Sequence, residues 1–420
     1  MAPVRYLAIR LQKGNRFTFP LLLSLLEKEG LDRYFRIIFL DSFHSLQQFV
    51  KSGPEGVLLY SFMTPHLPQV MTEVEWIRAE SPASLILLAG GPHATGNPES
   101  ALKMGFDYAY AGPAETGFSA FIRSYLRGDL PDSPALLHAP DAVTLDEYFP
   151  LSRHVRTSPP LEITRGCNWN CKFCQTSCQK AIQRSLDSVK IYHSLLKQRN
   201  HHRRVNFVCP SAFEYGARNA RQLNYDAVRE MLEYCRVNGT EHLEYGIFPS
   251  EARPNSFSEA FVDLIVKYCS NKKVTIGAQS GSDRVLHAMR RGHSCEDVEN
   301  ACELTHRRGL IPLVDFIFGF PGENRDDRWE SLIFIKRLAV QYGARIHVHY
   351  FIPLSGTELE EANPTPLDYR TVDTLESYGK GGICTNWWKT GRRLSLNMVE
   401  MREKLREKQI SFRRDLSLIQ

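Results

Sequence analysis

Residues 161–174 read LEITRGCNWNCKFC, a short strand-like run, LEIT, that delivers the chain straight into thiols at positions 167, 171 and 174, with Cys178 close behind. Parallel β/α folds build their sites this way, because ligands collect at the carboxyl ends of the strands. Three thiolates at this spacing reach three corners of an iron–sulfur cubane, and soft sulfur ligands suit such a cluster or zinc. Zinc would draw in Cys178 as a fourth ligand and close the site. A cluster held by three thiolates leaves one iron open to another molecule.

Downstream of the cysteines, strand candidates recur as RVNFVCP, HLEYGIF, KVTIGAQ, LVDFIFGF and RIHVHYF, each followed by a helix-like or polar run. With LEIT they make six strands with helical returns, which predicts a partial parallel (β/α)6 barrel over residues 161–355. Upstream, residues 1–127 alternate apolar runs (VRYLAIRL, FRIIFL, GVLLYSF, LILLAGG, DYAYAG) with amphipathic ones. Five strands separated by helices predict an α/β, doubly wound, Rossmann- or flavodoxin-like domain. Its strand ends read SFMT (61–64), GGPHATGNPE (90–99) and GPAET (112–116), rich in small residues that let backbone amides approach a ligand. Residues 128–160 hold six prolines and little periodicity and read as a linker. Residues 356–420 read as a short C-terminal segment, a loop with Trp387 and Trp388 and then a charged helix.

Composition narrows the class. A chain of 420 residues, 43% hydrophobic, can bury cores for two or three domains. All ten cysteines lie at or after Cys167, unlike a disulfide-stapled secreted scaffold, so reduced thiols and a cytoplasmic location are expected. No run of roughly 18 apolar residues suggests a membrane span. Net charge is +5, with basic residues gathered in HHRR (201–204) and from Lys389 to Arg414. These read as solvated faces, and no nucleic-acid partner is expected. Cys209, Cys235, Cys269, Cys295, Cys302 and Cys384 are scattered and read as small buried residues.

CNWNCKFC resembles the CxxxCx(aromatic)C signature of the radical S-adenosylmethionine (radical SAM) superfamily. The resemblance implies a 4Fe–4S cluster on Cys167, Cys171 and Cys174, with S-adenosylmethionine bound at the open iron. It extends through later strand ends. Phe173 supplies the aromatic, and Ser211 in VCPSAF stands where the family binds the methionine amino group. Glu251 and Arg253 in FPSEARP stand where it contacts ribose and the methionine carboxylate. Gln279, Ser280 and Arg291 in GAQSGSDRVLHAMRRGHS match a further stretch, and Phe318 in VDFIFGFPGE the segment beside adenine.

The segment GGPHATGNPESALKMGFDYAYAGPAE resembles the cobalamin-binding domains of cobalamin-dependent radical SAM enzymes. It implies cobalamin held by Ser61, Phe62, Met63, Thr64, Gly90, Gly91, Pro92, His93, Thr95, Gly112 and Glu115. The Asp-x-His-x-x-Gly motif that puts an imidazole beneath cobalt is missing; DSFHSL (41–46) has the wrong spacing, so no histidine ligand is expected. His44 and His66 read as surface or packing residues, and His93 as a contact to the corrin edge or nucleotide tail.

This pairing of cofactors implies a class B methyltransferase that methylates an unactivated sp3 carbon and draws on an external electron donor. No acid/base pair stands out in the sequence. The cysteine-free first 166 residues argue against the tRNA methylthiotransferases. The group that methylates the Cα of a glutamine in methyl-coenzyme M reductase, a protein substrate, is the most specific resemblance. The alternatives are a methyltransferase or cyclase acting on a natural product or lipid, or a corrinoid carrier or zinc module, each of which explains only half of the chain.

Overall fold

The computed structural model describes residues 4–80, 85–139, 143–156, 159–200, 204–219 and 222–415. It divides into two compact units, one of residues 1–159 with 354–356 and 397–420, the other of residues 160–353 with 357–396.

In the first unit β1 (Arg5–Arg10), β2 (Arg36–Leu40), β3 (Glu55–Ser61), β4 (Leu85–Gly90), β5 (Tyr108–Ala111) and β6 (Ala135–His138) form a parallel sheet. Its order is β6-β5-β4-β3-β1-β2, so strand order reverses between β1 and β3, the place where doubly wound sheets open a crevice. The central strands are near-continuous apolar runs because both faces are covered by helices. Leu7, Ile9, Val57 and Leu59 meet Leu23 and Leu26 of the helix Thr18–Glu29 and Phe121 and Ile122 of Phe118–Arg127 in one core.

The region read as a linker differs from that expectation, because ALLH at 135–138 becomes the strand β6. Pro131 and Pro134 precede the strand and the other four prolines follow it, so no ladder hydrogen bond is lost. The chain's end also returns to this sheet: Arg413–Asp415 pairs with β6 as an added edge strand. Of the basic run HHRR, residues 201–203 lie outside the described residues.

The second unit carries β7 (Leu161–Glu162), β8 (Thr164–Arg165), β9 (Ile182–Gln183), β10 (Arg204–Val208), β11 (His242–Glu244), β12 (Lys273–Gln279), β13 (Ile311–Phe318) and β14 (Arg345–Tyr350); the added edge strand of the first sheet is β15. β7, β10 and β11 pair in parallel, as do β12, β13 and β14. The two triplets join where Thr275 N donates to Gly246 O at 2.7 Å and Ala252 bridges Ile276. The result is the predicted partial barrel, with β8 and β9 as an antiparallel hairpin around the cysteine loop.

Candidate active site

The loop from Gly166 to Lys180 is tied at its base, where Cys167 N donates to Gln179 O at 2.9 Å and Ala181 N to Asn168 Oδ1 at 3.0 Å. Ser177 Oγ donates to the carbonyls of Cys171 and Cys174. These bonds fix the loop, and the three thiols, before any ligand arrives. Cys171 is buried, Cys167 and Cys174 are partly buried and Cys178 is exposed. Burial pushes the Cys167 thiol up, against the pull of Arg253.

Two arginines converge on Cys171. Arg291 Nη1 stands 3.4 Å and Arg253 Nη1 3.8 Å from its Sγ, and both side chains are buried. Arg291 is anchored by Nη2 to Gly277 O at 2.7 Å, and Arg253 donates to Arg291 O. The Nε of each has no hydrogen-bond partner. Buried guanidinium donors left over beside a sulfur ligand fit an anionic guest, a thiolate-ligated cluster together with a carboxylate. Arg253 lies over the Trp169 indole at 3.8 Å, and Trp169 Nε1 donates to Glu214 at 2.8 and 3.0 Å. Burial raises the Glu214 pKa, which the Trp169 bond opposes. The indole fits only because position 292 is glycine: at φ +64°, a Cβ there would stand 2.6 Å from the ring. Sequence reading passed over Trp169 and Glu214; a tryptophan between cluster cysteines was the available signal.

The other residues marked in the sequence divide. Phe173 packs against Phe320, and Ile317 joins the same apolar cluster beside the cysteines. Ser211 is buried and lines a cavity of about 60 Å³ with Cys167, Trp169 and Glu214. Glu251 is half-buried, its carboxyl pushed up to about 7 by burial and then by Asp315. Gln279 is a non-glycine residue at φ 74°, where β12 shifts register against β13, a strained backbone of the kind that clusters at functional sites. Ser280 and Phe318 lie toward a neighbouring helix. Ser280 Oγ sits 3.3 Å from Ser331 Oγ of the helix Arg325–Tyr342. Phe318 shares a strand face with Phe316, which packs on Phe334 of that helix.

No three histidine, cysteine or acidic side chains among the described residues converge tightly enough for a single metal ion. A cubane asks for a wider spread, each thiolate at its own corner. Soft thiols, a fixed loop and two unsatisfied buried cations thus suit a cluster.

In the first unit His93 is held by three hydroxyls. It is 2% exposed, with Nδ1 2.9 Å from Ser355 Oγ and 3.2 Å from Thr64 Oγ1, and Nε2 3.1 Å from Ser100 Oγ. Burial lowers its pKa to about 4. Both ring nitrogens are engaged within the unit. Phe62 is buried and stacks on His93, and Ser61, Thr64 and Glu115 are buried too. Gly91, at φ 85°, leaves no room for a Cβ, which would lie 2.7 Å from Ser61 Oγ. Pro92 opens the short helix Gly91–Gly96 with Gly90 as its cap, and Thr95 Oγ1 accepts from Gly112 N at 3.2 Å. Met63 is 38% exposed at the end of β3. At the end of β1 the Gln12 side-chain amide is buried with neither atom hydrogen-bonded. That amide, beside the β1–β3 crevice, suits a ligand rich in amides, as a corrin is.

Trp387 is 66% exposed and Trp388 2%. No described helix is long and apolar enough to cross a membrane.

Comparison with known proteins matches residues 161–335 to the radical SAM superfamily. A threonylcarbamoyladenosine tRNA methylthiotransferase from Aquifex aeolicus is 28% identical over 192 residues, 44% of each chain. An uncharacterized methyltransferase from Pyrococcus horikoshii is 23% identical over 314 residues, 66% of this chain and 63% of that one. The chain thus spans about half the length of the curated relatives it matches. Among solved structures, the radical S-adenosylmethionine methyltransferase TsrM from Kitasatospora setae superposes with TM-score 0.58 at 16% identity, over 86% of this chain and 77% of TsrM. The cobalamin-dependent radical enzyme OxsB superposes with TM-score 0.59 at 14% identity, over 97% and 62%. These likenesses establish the fold, and residues 161–335 form a radical SAM domain, which implies a 4Fe–4S cluster and S-adenosylmethionine.

Proposed function

We propose that this chain is a cobalamin-dependent radical SAM methyltransferase that methylates an unactivated sp3 carbon of a protein or peptide, with a glutamine Cα of methyl-coenzyme M reductase as the first candidate. The observation that carries the reading is Cys171 held between Arg253 and Arg291, in a chain that also contains a doubly wound sheet. TsrM and OxsB, which share this fold, are described as a radical methyltransferase and a cobalamin-dependent radical enzyme. When bound, the cluster supplies the electron that cleaves S-adenosylmethionine, and cobalamin supplies the methyl group.

The chain's own residues do the holding. Cys167, Cys171 and Cys174 bind the cluster, and the free Nε atoms of Arg253 and Arg291 offer charge-assisted bonds to the carboxylate of S-adenosylmethionine. Phe173, Ile317 and Phe320 exclude water from the reacting centre. In the first unit Met63 and Gln12 stand at the crevice that would take cobalamin. An external donor supplies the electrons.

Anaerobic protein reconstituted with iron, sulfide and methylcobalamin is mixed with S-adenosylmethionine, reductant and a glutamine peptide of the reductase, and products are read by mass spectrometry. A peptide heavier by one methyl, formed with 5′-deoxyadenosine and S-adenosylhomocysteine, is the expected result. Deoxyadenosine without peptide change refutes the substrate; neither nucleoside, from protein shown to carry both groups, refutes the reaction. Cys171→Ala abolishes cluster binding and Cys178→Ala preserves it; loss in both sinks the three-thiolate site in favour of zinc-like ligation.

A further inference from the structure

The barrel lumen carries a polar group that the cysteine loop does not use. Strand alternation sends Phe316 and Phe318 of β13 toward the helices, so Asp315 and Ile317 face the lumen. On β14 the buried Ile346, Val348 and Tyr350 take the outer face, and His347 and His349 the inner one. Asp315 and His347 are register partners across the two strands.

Asp315 is 8% exposed, and its Oδ1 has no aligned hydrogen-bond donor. His347 Nδ1 stands 3.3 Å and His349 Nε2 3.7 Å from that oxygen, close enough for charge attraction but short of hydrogen-bond alignment. Burial pushes the Asp315 carboxyl up, and the two imidazoles pull it down further than burial raises it, so it stays ionised. The Glu251 carboxyl lies near enough to feel it. A buried carboxylate oxygen without an aligned donor is an unmet demand. The two imidazoles, at 40% and 48% side-chain exposure, leave the way to it open to a ligand.

We propose that Asp315, flanked by His347 and His349, anchors the substrate in the lumen and binds it through a donor nitrogen, an ammonium or an amide N–H. The Asp315 carboxylate repels an anion, and a hydroxyl brings one hydrogen but no positive end to offset the charge. An ammonium brings both, and an amide N–H, unlike a hydroxyl, donates without presenting a lone pair to the carboxylate. This deepens the proposed function, on which it rests for the assumption that the lumen holds the substrate.

The test uses the full chain carrying its cluster and four probes on one frame: benzylammonium, benzamide, benzyl alcohol and benzoate, followed by saturation-transfer NMR. Benzylammonium and benzamide bind, with benzoate at least ten-fold weaker. Asp315→Leu weakens both nitrogen probes at least ten-fold. Asp315→Asn, which keeps the shape should the leucine variant misfold, weakens the ammonium more than the amide. Equal or tighter binding of benzoate, no binding by any probe, or nitrogen binding unchanged in a folded Asp315 variant overturns the proposal. Deoxyadenosine release without any probe is measured alongside. Its absence counts against the radical reaction, whereas probe binding does not depend on it, so the two failures stay separate.

Discussion

Gly292→Ala offers a graded test of how the cysteine loop is held. At φ +64° an alanine costs about 1–2 kcal/mol in backbone strain alone. Its Cβ would also stand 2.6 Å from Cζ3 and 3.0 Å from Cε3 of Trp169, atoms of a rigid ring with no flexible end to give way. Displacing the indole strips two contacts: its stack with Arg253 at 3.8 Å, worth roughly 0.5–2 kcal/mol, and its bonds to Glu214, roughly 1.5–3 kcal/mol for a donor on a charged acceptor. The control is Gly309→Ala, where φ is +74° but nothing lies within 4 Å of the new Cβ. It carries the backbone cost alone. Denaturant unfolding of the cluster-free chain, with both variants compared in the barrel transition, should therefore show Gly292→Ala less stable than Gly309→Ala by about 2–5 kcal/mol. Iron content after reconstitution should fall in Gly292→Ala and hold in Gly309→Ala. Equal stability of the two, with iron retained in both, would refute the claim that this glycine exists to seat Trp169.

Glu73→Gln strands the guanidinium of Arg10, which now meets Glu73 at 2.6 and 2.9 Å with both side chains 3% exposed. An unpaired buried charge costs about 3–5 kcal/mol, so the first unit's melting temperature should drop sharply, while Arg5→Gln, whose pair with Glu55 at 3.8 Å is exposed, should leave it unchanged. Asp368 caps the helix Tyr369–Lys380, and although burial raises its pKa, bonds from Thr371 and the pair with Arg328 lower it to about 2 from 3.8. Its folded pKa is depressed, so its contribution, about 1–2 kcal/mol after discounting for partial exposure, is complete above pH 3.8 and lost as pH falls toward 2. Asp368→Asn should flatten the acid limb of the barrel's stability profile over that window; an unchanged limb contradicts the assignment.

Sequence alone determined the two sheets, the six barrel strands and the cysteine loop, because apolar alternation and thiol spacing are local signals that no distant residue has to complete. It also marked Arg253 and Arg291, though only by resemblance. Tertiary structure decided what they do: they reach Cys171 from 82 and 120 residues away, a convergence set by barrel closure and invisible to any window of sequence. The same holds for the surroundings of His93. Its partners are Thr64, Ser100 and Ser355, the last 262 residues distant, and only their meeting shows that both nitrogens are spent. Phe318 and Asp315 show the finer limit. Adjacent strand positions face opposite ways, so their roles follow from which face of β13 the helix Arg325–Tyr342 covers. Period two says that neighbours differ, and packing says which of them faces the lumen.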